Sequence, residues 1–287
     1  LGAAAQHLEA SAHAAARLET VTGAAPSIAD PPLPAPLPAG AAALEDVSAR
    51  FPGATGDVLR GVSLAVAPGR AVALVGPSGA GKTTVANLLA RFLDPVAGRV
   101  TLGGADLRTG AQDDLRARVR LVEQDAHLFA TSVRANVALA RPGATDGEIA
   151  GALRAAGLGA WLEALPDGLA TLVGEHGAQV SGGQRSRIAA ARALLCDAEI
   201  LVVDEPAAHL DPAGARELLH RLAAERDRGR GVLVISHATD GLDAFDEVVV
   251  LEDGRVAERG THAALLARDG RYAGLASASA SPSPSPA

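Results

Sequence analysis

One short stretch combines the residue types that bind nucleotide phosphates at the spacing this chemistry needs. It fits the phosphate-binding pattern G-x-x-x-x-G-K-[ST], and it consists of Gly76, Pro77, Ser78, Gly79, Ala80, Gly81, Lys82, Thr83 and Thr84. Glycines let backbone N–H groups turn inward around an anion, and the N-terminus of a following helix adds positive partial charge. We expect Lys82 to reach the β- and γ-phosphates and the Thr83 hydroxyl to contact Mg²⁺.

The sequence around this stretch supports a phosphate-binding loop. An apolar run from Ala71 to Val75 enters it like a buried parallel strand, and a helical pattern from Thr83 to Leu93 leaves it. Strand, glycine turn and helix are the context in which such a loop binds nucleotide. The alternative is a glycine turn that only joins a strand to a helix. The Lys-Thr pair at the required place argues against that alternative.

A second acidic element follows another apolar run. Ile200 to Asp204 reads as a buried strand, and Glu205 comes directly after it. Ligands of parallel sheets bind at the carboxyl ends of the strands, so Asp204 is placed to hold Mg²⁺ there, usually through water. Glu205 is placed to take a proton from an attacking water, which is worth roughly 10²- to 10⁴-fold in rate. Two surface acids that merely cap a strand are the alternative, which the phosphate-binding loop disfavours.

A third element has the character of a second anion site. Ser181 is a natural helix N-cap, and the paired glycines Gly182 and Gly183, followed by Gln184, leave backbone N–H groups exposed at a helix start. One chain does not need two γ-phosphate cradles for one nucleotide. We therefore expect this element to serve a nucleotide that is held by another copy.

Composition limits the remaining possibilities. The 287 residues are 48% hydrophobic but only 2% aromatic, so the core must be built from Ala, Leu and Val. A net charge of −7 argues against a nucleic-acid-binding surface. The single cysteine, Cys196, fits a reducing compartment and a buried core position. No apolar run is long enough to span a membrane, and no signal peptide is visible. The absence of Met suggests a fragment or a processed piece.

The order of elements predicts an α/β fold around the P-loop. Alternating strands and helices favour a largely parallel sheet core, preceded by an antiparallel β portion. A mostly helical stretch at about 131–195 is too long for a connection and reads as an inserted helical subdomain. We expect a helix within 1–25, a Pro-rich, semi-rigid spacer over 26–40, the main domain over 41–276 and a disordered tail over 277–287.

With these motifs in place, the chain resembles the nucleotide-binding domain of an ATP-binding cassette (ABC) transporter from about Leu44 to Leu275. Ser181 to Gln184 resembles the family signature, with Val180 where Leu is usual. The resemblance implies roles for further residues: Phe51 would stack on adenine, Gln124 would sense Mg²⁺ and face the membrane domains, His237 would contact the γ-phosphate, and His209 and Asp211 would touch the site of the partner.

Two details resemble particular branches of the family. The segment from Val173 to Gly177, with Glu175 at its centre, is similar to a short loop of exporters that contacts the membrane domains. The segments around Gln124 and His209 are similar to the CydC-type half of the bacterial thiol-reductant exporter, although Ala207 and Ala208 stand where that branch often has Thr and Glu. This resemblance implies export of cysteine or glutathione for cytochrome bd assembly, with a CydD-like half as partner.

The family resemblance implies an ATP hydrolase coupled to transmembrane transport, with ATP and Mg²⁺ as cofactors. It also implies a second nucleotide-binding domain as partner, homologous or identical, and membrane domains encoded upstream on the same chain. The location would be the cytoplasmic face of a bacterial plasma membrane. Nucleic acid would not be a partner. Three alternatives remain: a lipid, peptide or drug exporter of the same architecture, a soluble non-transport ABC ATPase, and a module that binds nucleotide as a dimerisation clamp.

Overall fold

Two β-sheets organise the molecule. The structure is a computed structural model and describes residues 11–19, 22–23, 26–124, 126–174 and 179–280. The smaller sheet has four strands in the order β2-β1-β4-β5, and its pairings are antiparallel. Its strands are β1 (Ala42–Ala49), β2 (Leu59–Val66), β4 (Ala97–Leu102) and β5 (Ala105–Asp106). This sheet is the predicted antiparallel portion.

The larger sheet has six strands in the order β10-β9-β3-β8-β7-β6. Its strands are β3 (Ala71–Val75), β6 (Val119–Val122), β7 (Ile200–Asp204), β8 (Gly231–Ser236), β9 (Glu247–Glu252) and β10 (Arg255–Gly260). All neighbours pair in parallel except β9 and β10. Strands β3, β7 and β8 are buried along their whole length, as expected for parallel strands covered on both faces. The predicted α/β fold with a largely parallel core is confirmed.

Ten helices accompany these sheets within the described part of the chain. They are α1 (residues 11–19), α2 (Lys82–Leu89), α3 (Gln112–Arg118), α4 (Val133–Ala138), α5 (Asp146–Ala155), α6 (Gly159–Ala164), α7 (Gly182–Leu195), α8 (Pro212–Ala223), α9 (His262–Leu266) and α10 (Arg271–Ala280). Helices α4 to α7 all lie between β6 and β7, where the sequence predicted helical structure. None of the helices in the described ranges is both long and apolar enough to cross a membrane.

The hydrophobic core is divided by the larger sheet. Along β3, Ala71, Ala73 and Val75 face one cluster, whereas Val72 and Leu74 face the other, as the two-residue period of a strand requires. The first cluster packs against α5, α7 and α8, and the second against α2 and the smaller sheet. The sheet is thus covered on both faces, which leaves the strand ends as the place where polar side chains can gather.

Several boundaries differ from the predicted ones. Helix α2 ends at Leu89 rather than Leu93, because Arg91 adopts a left-handed conformation with φ of 51° that cannot continue a helix. Helix α8 ends at Ala223, and the chain continues as a 3₁₀ turn over Ala224–Arg228. Strands β5 and β10 were not predicted.

The Pro-rich stretch is not the free spacer that its composition predicts. It lies against the domain: the Ala35 N–H donates to the Thr109 carbonyl at 2.8 Å, and Arg91 donates to the Ala29 carbonyl at 3.0 Å. Leu37 is 5% exposed and belongs to the second core cluster. The stretch is thus held in both directions, by its own N–H at Ala35 and by a donor on the domain, Arg91.

The predicted disordered tail is wrong for its first residues. Residues 277–280 complete α10, because Ala and Ser tolerate a helix that already packs through the buried Tyr272. Residues 281–287 lie outside the described residues. Within the range predicted to contain the leading helix, residues 1–10, 20–21 and 24–25 also lie outside them.

Candidate active site

Four parallel strands deliver the predicted site residues to one edge of the larger sheet. Strands β3, β6, β7 and β8 run in the same direction, and the P-loop, Gln124, Asp204 and His237 follow their carboxyl ends. That edge is where open α/β sheets bind ligands. Residues that are more than 150 positions apart in sequence therefore meet at one place.

The P-loop has its glycines where other residues would clash. Gly76 has φ of 153°, and a Cβ there would lie 2.0 Å from the Leu251 carbonyl oxygen. Gly81 has φ of 103° and is the N-cap of α2 without a side-chain cap. The first N–H groups of α2 thus have no side-chain acceptor at their cap, which is the arrangement that favours an anion at a helix start.

Lys82 occupies the centre of the loop. Its Nζ donates to the carbonyl oxygens of Gly76 at 2.8 Å and Pro77 at 3.1 Å. An ammonium group has three donors, so one remains for a phosphate oxygen. Burial lowers the pKa of Lys82, and the nearby carboxylates of Glu205 and Asp204 oppose this shift.

Thr83 and Asp204 are joined across the edge. The Thr83 hydroxyl donates to Asp204 Oδ2 at 2.9 Å. The other carboxylate oxygen, Oδ1, is buried without a hydrogen-bond partner among the described residues, and burial raises the pKa of Asp204. A buried, unpartnered carboxylate oxygen beside a hydroxyl is a donor set that suits Mg²⁺, so the residues present fit the predicted ion.

Glu205 and His237 form the next pair along the edge. Glu205 has φ of 49°, a left-handed conformation that is rare outside glycine. Its N–H donates to the Ile235 carbonyl at 3.0 Å, which ties β7 to β8. Its Oε2 lies 2.7 Å from His237 Nδ1 and accepts from the His237 N–H at 3.3 Å. Both contacts use Oε2, so Oε1 can accept a proton from water.

Gln124 and Phe51 are the two remaining residues with a predicted role at the nucleotide site, and they line different cavities. Gln124 is exposed and lines a small cavity together with Asp204 and Glu205. Phe51 is 42% exposed and lines a separate cleft of about 470 Å³ with Phe92 and Ile28. The Pro-rich stretch therefore forms part of the wall next to Phe51. Stacking of Phe51 on adenine stays a prediction.

The signature element begins α7 as a complete capping box. Ser181 Oγ accepts from the Gln184 N–H at 3.2 Å, and Gln184 Oε1 accepts from the Ser181 N–H at 2.8 Å. Both side chains thus fix the start of the helix. The Ser181 hydroxyl still has its own proton to donate, and Ser181 and Gly182 are exposed.

The signature glycines pack against the loop that carries His209. A Cβ on Gly182 would lie 3.4 Å from the His209 side chain, and one on Gly183 would lie 3.1 Å from the His209 carbonyl. Ser186 Oγ is 3.4 Å from His209 Nδ1. Asp211 caps α8 by accepting from the Gly214 N–H at 2.8 Å. Contact of His209 and Asp211 with a second copy stays a prediction.

Some site residues had no signal in the sequence, and one predicted segment cannot be placed. Ser186, which joins α7 to His209, and the buried Asn136 are single polar residues in helical patterns. Only their contacts show what they do. Glu175 and its neighbours through residue 178 lie outside the described residues, so the predicted exporter loop is untested.

Comparison with known proteins identifies the family. The family model described as "ABC transporter" matches residues 59–208, which is more than half of the chain. The matched range spans the P-loop, the signature and the acidic strand end. The chain therefore belongs to the ABC transporter family, and it has the ATPase fold of that family.

Relatives of known name are longer proteins. The chain is 45% identical over 237 residues to an ATP-dependent lipid A-core flippase of Thiobacillus denitrificans, covering 82% of this chain and 41% of that protein. It is 43% identical over 242 residues to the flippase of the same name from Chromobacterium violaceum, with coverage of 84% and 41%. The chain thus spans less than half the length of these relatives.

A solved structure supports the same conclusion. A bacterial Atm1-family ABC exporter with ATP bound superimposes with a TM-score of 0.85 and 36% sequence identity, covering 94% of this chain and 47% of that one. The predicted ABC-type ATPase is confirmed at the level of family and fold. The finer resemblance to the thiol-reductant exporter has no support among these relatives.

Proposed function

We propose that this chain is the ATP-hydrolysing motor of a bacterial ABC exporter, at the cytoplasmic face of the plasma membrane. The observation that carries the proposal is the cluster at the strand ends. Lys82, Thr83, Asp204 and Glu205 converge there, and His237 contacts Glu205 at 2.7 Å. A phosphate cradle, a metal-binding carboxylate and a base at one place are the parts that phosphoryl transfer from a nucleotide uses.

The binding step follows from the loop. The N–H groups of the P-loop and the start of α2 hold the β- and γ-phosphates, and Lys82 adds a full charge. Thr83, Asp204 and Gln124 would hold Mg²⁺, which neutralises charge that develops on the phosphate oxygens. Among the described residues, no three His, Cys, Asp or Glu side chains are grouped so that they could hold a metal ion by themselves. The ion would therefore also depend on oxygens of the nucleotide.

The hydrolytic step assigns a role to each strand-end residue. Glu205 accepts a proton from the attacking water through Oε1, while His237 holds Oε2. The strained backbone of Glu205 and its N–H bond to Ile235 keep the carboxylate at one position. His237 donates from Nδ1 in this contact, so Nε2 can donate to the γ-phosphate when the ring is an imidazolium, in which both nitrogens carry a proton.

The signature completes the site of a second copy. Ser181 and Gly182 are exposed, and within the part of the chain that the structure describes, the Ser181 side chain bonds only the cap of α7. In a head-to-tail pair they would donate to the γ-phosphate of the nucleotide on the partner. ATP then favours the closed pair because it binds both surfaces, and hydrolysis reopens it. Membrane domains would follow these movements through the Gln124 region.

Glu205→Gln tests the proposed chemistry. The amide keeps the size of the side chain but cannot take a proton, so ATP should still bind while hydrolysis falls roughly 10²- to 10⁴-fold. The measurement is ATP turnover beside equilibrium binding of ATP. Retained turnover in the variant would exclude Glu205 as the base.

The transported molecule is a separate question. Both flippase relatives carry names that refer to a lipid, and this favours an amphiphilic lipid as substrate over cysteine or glutathione. In the transporter with its membrane domain, reconstituted in liposomes, we expect lipid A-core to stimulate ATP turnover and glutathione to have no effect. Stimulation by glutathione alone would restore the thiol-reductant interpretation.

A further inference from the structure

A partly buried arginine near the end of the signature helix has no acidic partner in the described part of the chain. Arg192 lies in the last turn of α7, and its guanidinium donates only to neutral acceptors. Nε bonds the Asn136 carbonyl at 2.8 Å, Nη1 the His127 carbonyl at 2.9 Å and Nη2 the Asn136 Oδ1 at 3.0 Å. Burial lowers the pKa of Arg192. Removing a charged group from water costs free energy unless well-formed hydrogen bonds compensate for the lost hydration.

Asn136 extends this contact to the loop after Gln124. Its side chain is fully buried. Oδ1 accepts from the Phe129 N–H at 2.9 Å, and Nδ2 donates to the carbonyl oxygens of Phe129 at 3.0 Å and Ser132 at 3.1 Å. One amide therefore binds both backbone groups of Phe129, as a neighbouring strand would. We refer to Arg192 and Asn136 as the clamp.

The clamped loop has no regular secondary structure of its own. Residues 126–130 form neither helix nor strand, while the Phe129 side chain is 52% exposed and meets the His127 ring edge-on at 4.7 Å. Phe129 lines a cleft of about 350 Å³ together with Leu139, Phe92 and Arg116, so the loop at 126–130 forms part of the wall of this cleft.

We infer that Arg192 is a positioning residue that makes the loop at 126–130 move together with the signature helix. The inference rests on the proposed function, in which Ser181 approaches the nucleotide of a second copy. Ser181 and Arg192 lie at opposite ends of α7, roughly 16 Å apart along a rigid helix. A shift at the signature end therefore reaches the clamp, and through it Phe129.

The test separates movement of the signature from movement of the loop. A tryptophan reporter is introduced by Phe129→Trp, with Trp161→Phe removing the one natural tryptophan, in a Glu205→Gln background that holds ATP. ATP-dependent dimerisation reports that the signature has engaged a second copy. The shift in tryptophan emission on adding Mg-ATP reports that the loop has moved relative to the core.

Two variants cut the clamp in different ways. Arg192→Lys keeps the charge but cannot reach three acceptors with a planar fork. Asn136→Asp keeps a partner for Arg192 but removes the donor to the Phe129 carbonyl. Arg187→Lys is the matched control, because Arg187 lies on the same helix and donates to the Ala156 carbonyl at 2.9 Å instead. Circular dichroism and the melting temperature establish that each variant is folded.

The expected result is that both clamp variants dimerise with ATP but lose the emission shift, whereas the control keeps both. A role in folding alone would reduce dimerisation and the shift together. The same emission shift in folded clamp variants as in the parent overturns the inference and leaves the proposed function intact. A parent that neither dimerises nor shifts with Mg-ATP contradicts the proposed function, and the inference with it.

Discussion

The polar side chains at the P-loop edge of the larger sheet hydrogen-bond to one another, whereas the start of α7 presents an exposed helix cap. At the edge, Lys82 bonds its own loop, Thr83 bonds Asp204, and Glu205 bonds His237. At the start of α7, the side chains of Ser181 and Gln184 bond each other's backbone and no other described residue. Two surfaces that both suit an anion therefore differ in how much of a site each one contains.

This difference follows from where the residues come from. The edge gathers residues from four strands of one sheet, so folding alone assembles it. Among the described residues, the signature combines one helix start with the loop of His209, and it offers backbone N–H groups but no phosphate-binding loop of its own. A surface of this kind becomes catalytic only when another molecule supplies the rest, which is why we expect the functional unit to be a pair.

The largest expected effect on ATP affinity comes from removing the lysine of the P-loop. Lys82→Ala removes the charge between the two phosphates, and loss of one charge-assisted contact of about 1.5–3 kcal/mol should weaken ATP binding roughly 10- to 150-fold. Isothermal titration with ATP measures it. Lys82→Arg is the control for charge, and we expect it to bind poorly as well, because a planar fork does not fit the Gly76 and Pro77 carbonyls. Unchanged affinity in Lys82→Ala would contradict the assignment of the cradle.

Breaking the signature should leave binding intact and remove turnover. In Gly183→Val the branched side chain meets the His209 carbonyl, which is 3.1 Å from an ideal Cβ. We expect ATP affinity close to that of the parent chain, no ATP-dependent dimer and no hydrolysis. Titration with ATP and gel filtration with Mg-ATP measure the two properties. An equal loss of ATP affinity would show that the two surfaces are not separate.

The smallest expected effect concerns stability. Burial raises the pKa of Asp204, so the folded chain binds that proton more tightly than the unfolded chain. Ionised Asp204 therefore opposes folding at neutral pH, and the penalty disappears as pH falls through the raised pKa. Without Mg²⁺, Asp204→Asn should raise the melting temperature at pH 7.5, by roughly 2–4 °C for each 1 kcal/mol.

The difference in melting temperature between Asp204→Asn and the parent chain should depend on pH. We expect the gain in melting temperature from Asp204→Asn to shrink as pH is lowered from 7.5 through the raised pKa of Asp204, since the parent carboxyl then becomes neutral as well. Differential scanning calorimetry over this range is the measurement. A gain that grows toward acid pH would contradict the sign of the pKa shift.

The sequence was sufficient for residues whose chemistry depends on local spacing. The P-loop glycines, Ser181 as a cap and the acidic end of β7 each follow from a short pattern next to a recognisable element. Long-range contacts left no such pattern. The Pro-rich stretch reads as a spacer because its partners, Arg91 and Thr109, are far away in sequence. The left-handed backbone of Glu205 accompanies its N–H bond to Ile235 of β8, and the residue types in the sequence do not predict it.

The central claim is that each site combines the edge of one chain with the signature of another, and mixing two inactive variants tests it most directly. Lys82→Ala retains its signature, and Gly183→Val retains its P-loop. Each alone should hydrolyse no ATP. In the mixture only pairs that contain both chains have an intact site, and each of these pairs has one intact site of two, so turnover should recover to at most about half of the parent rate. Two folded variants that stay inactive together, or a Gly183→Val chain that hydrolyses ATP alone, would contradict the account.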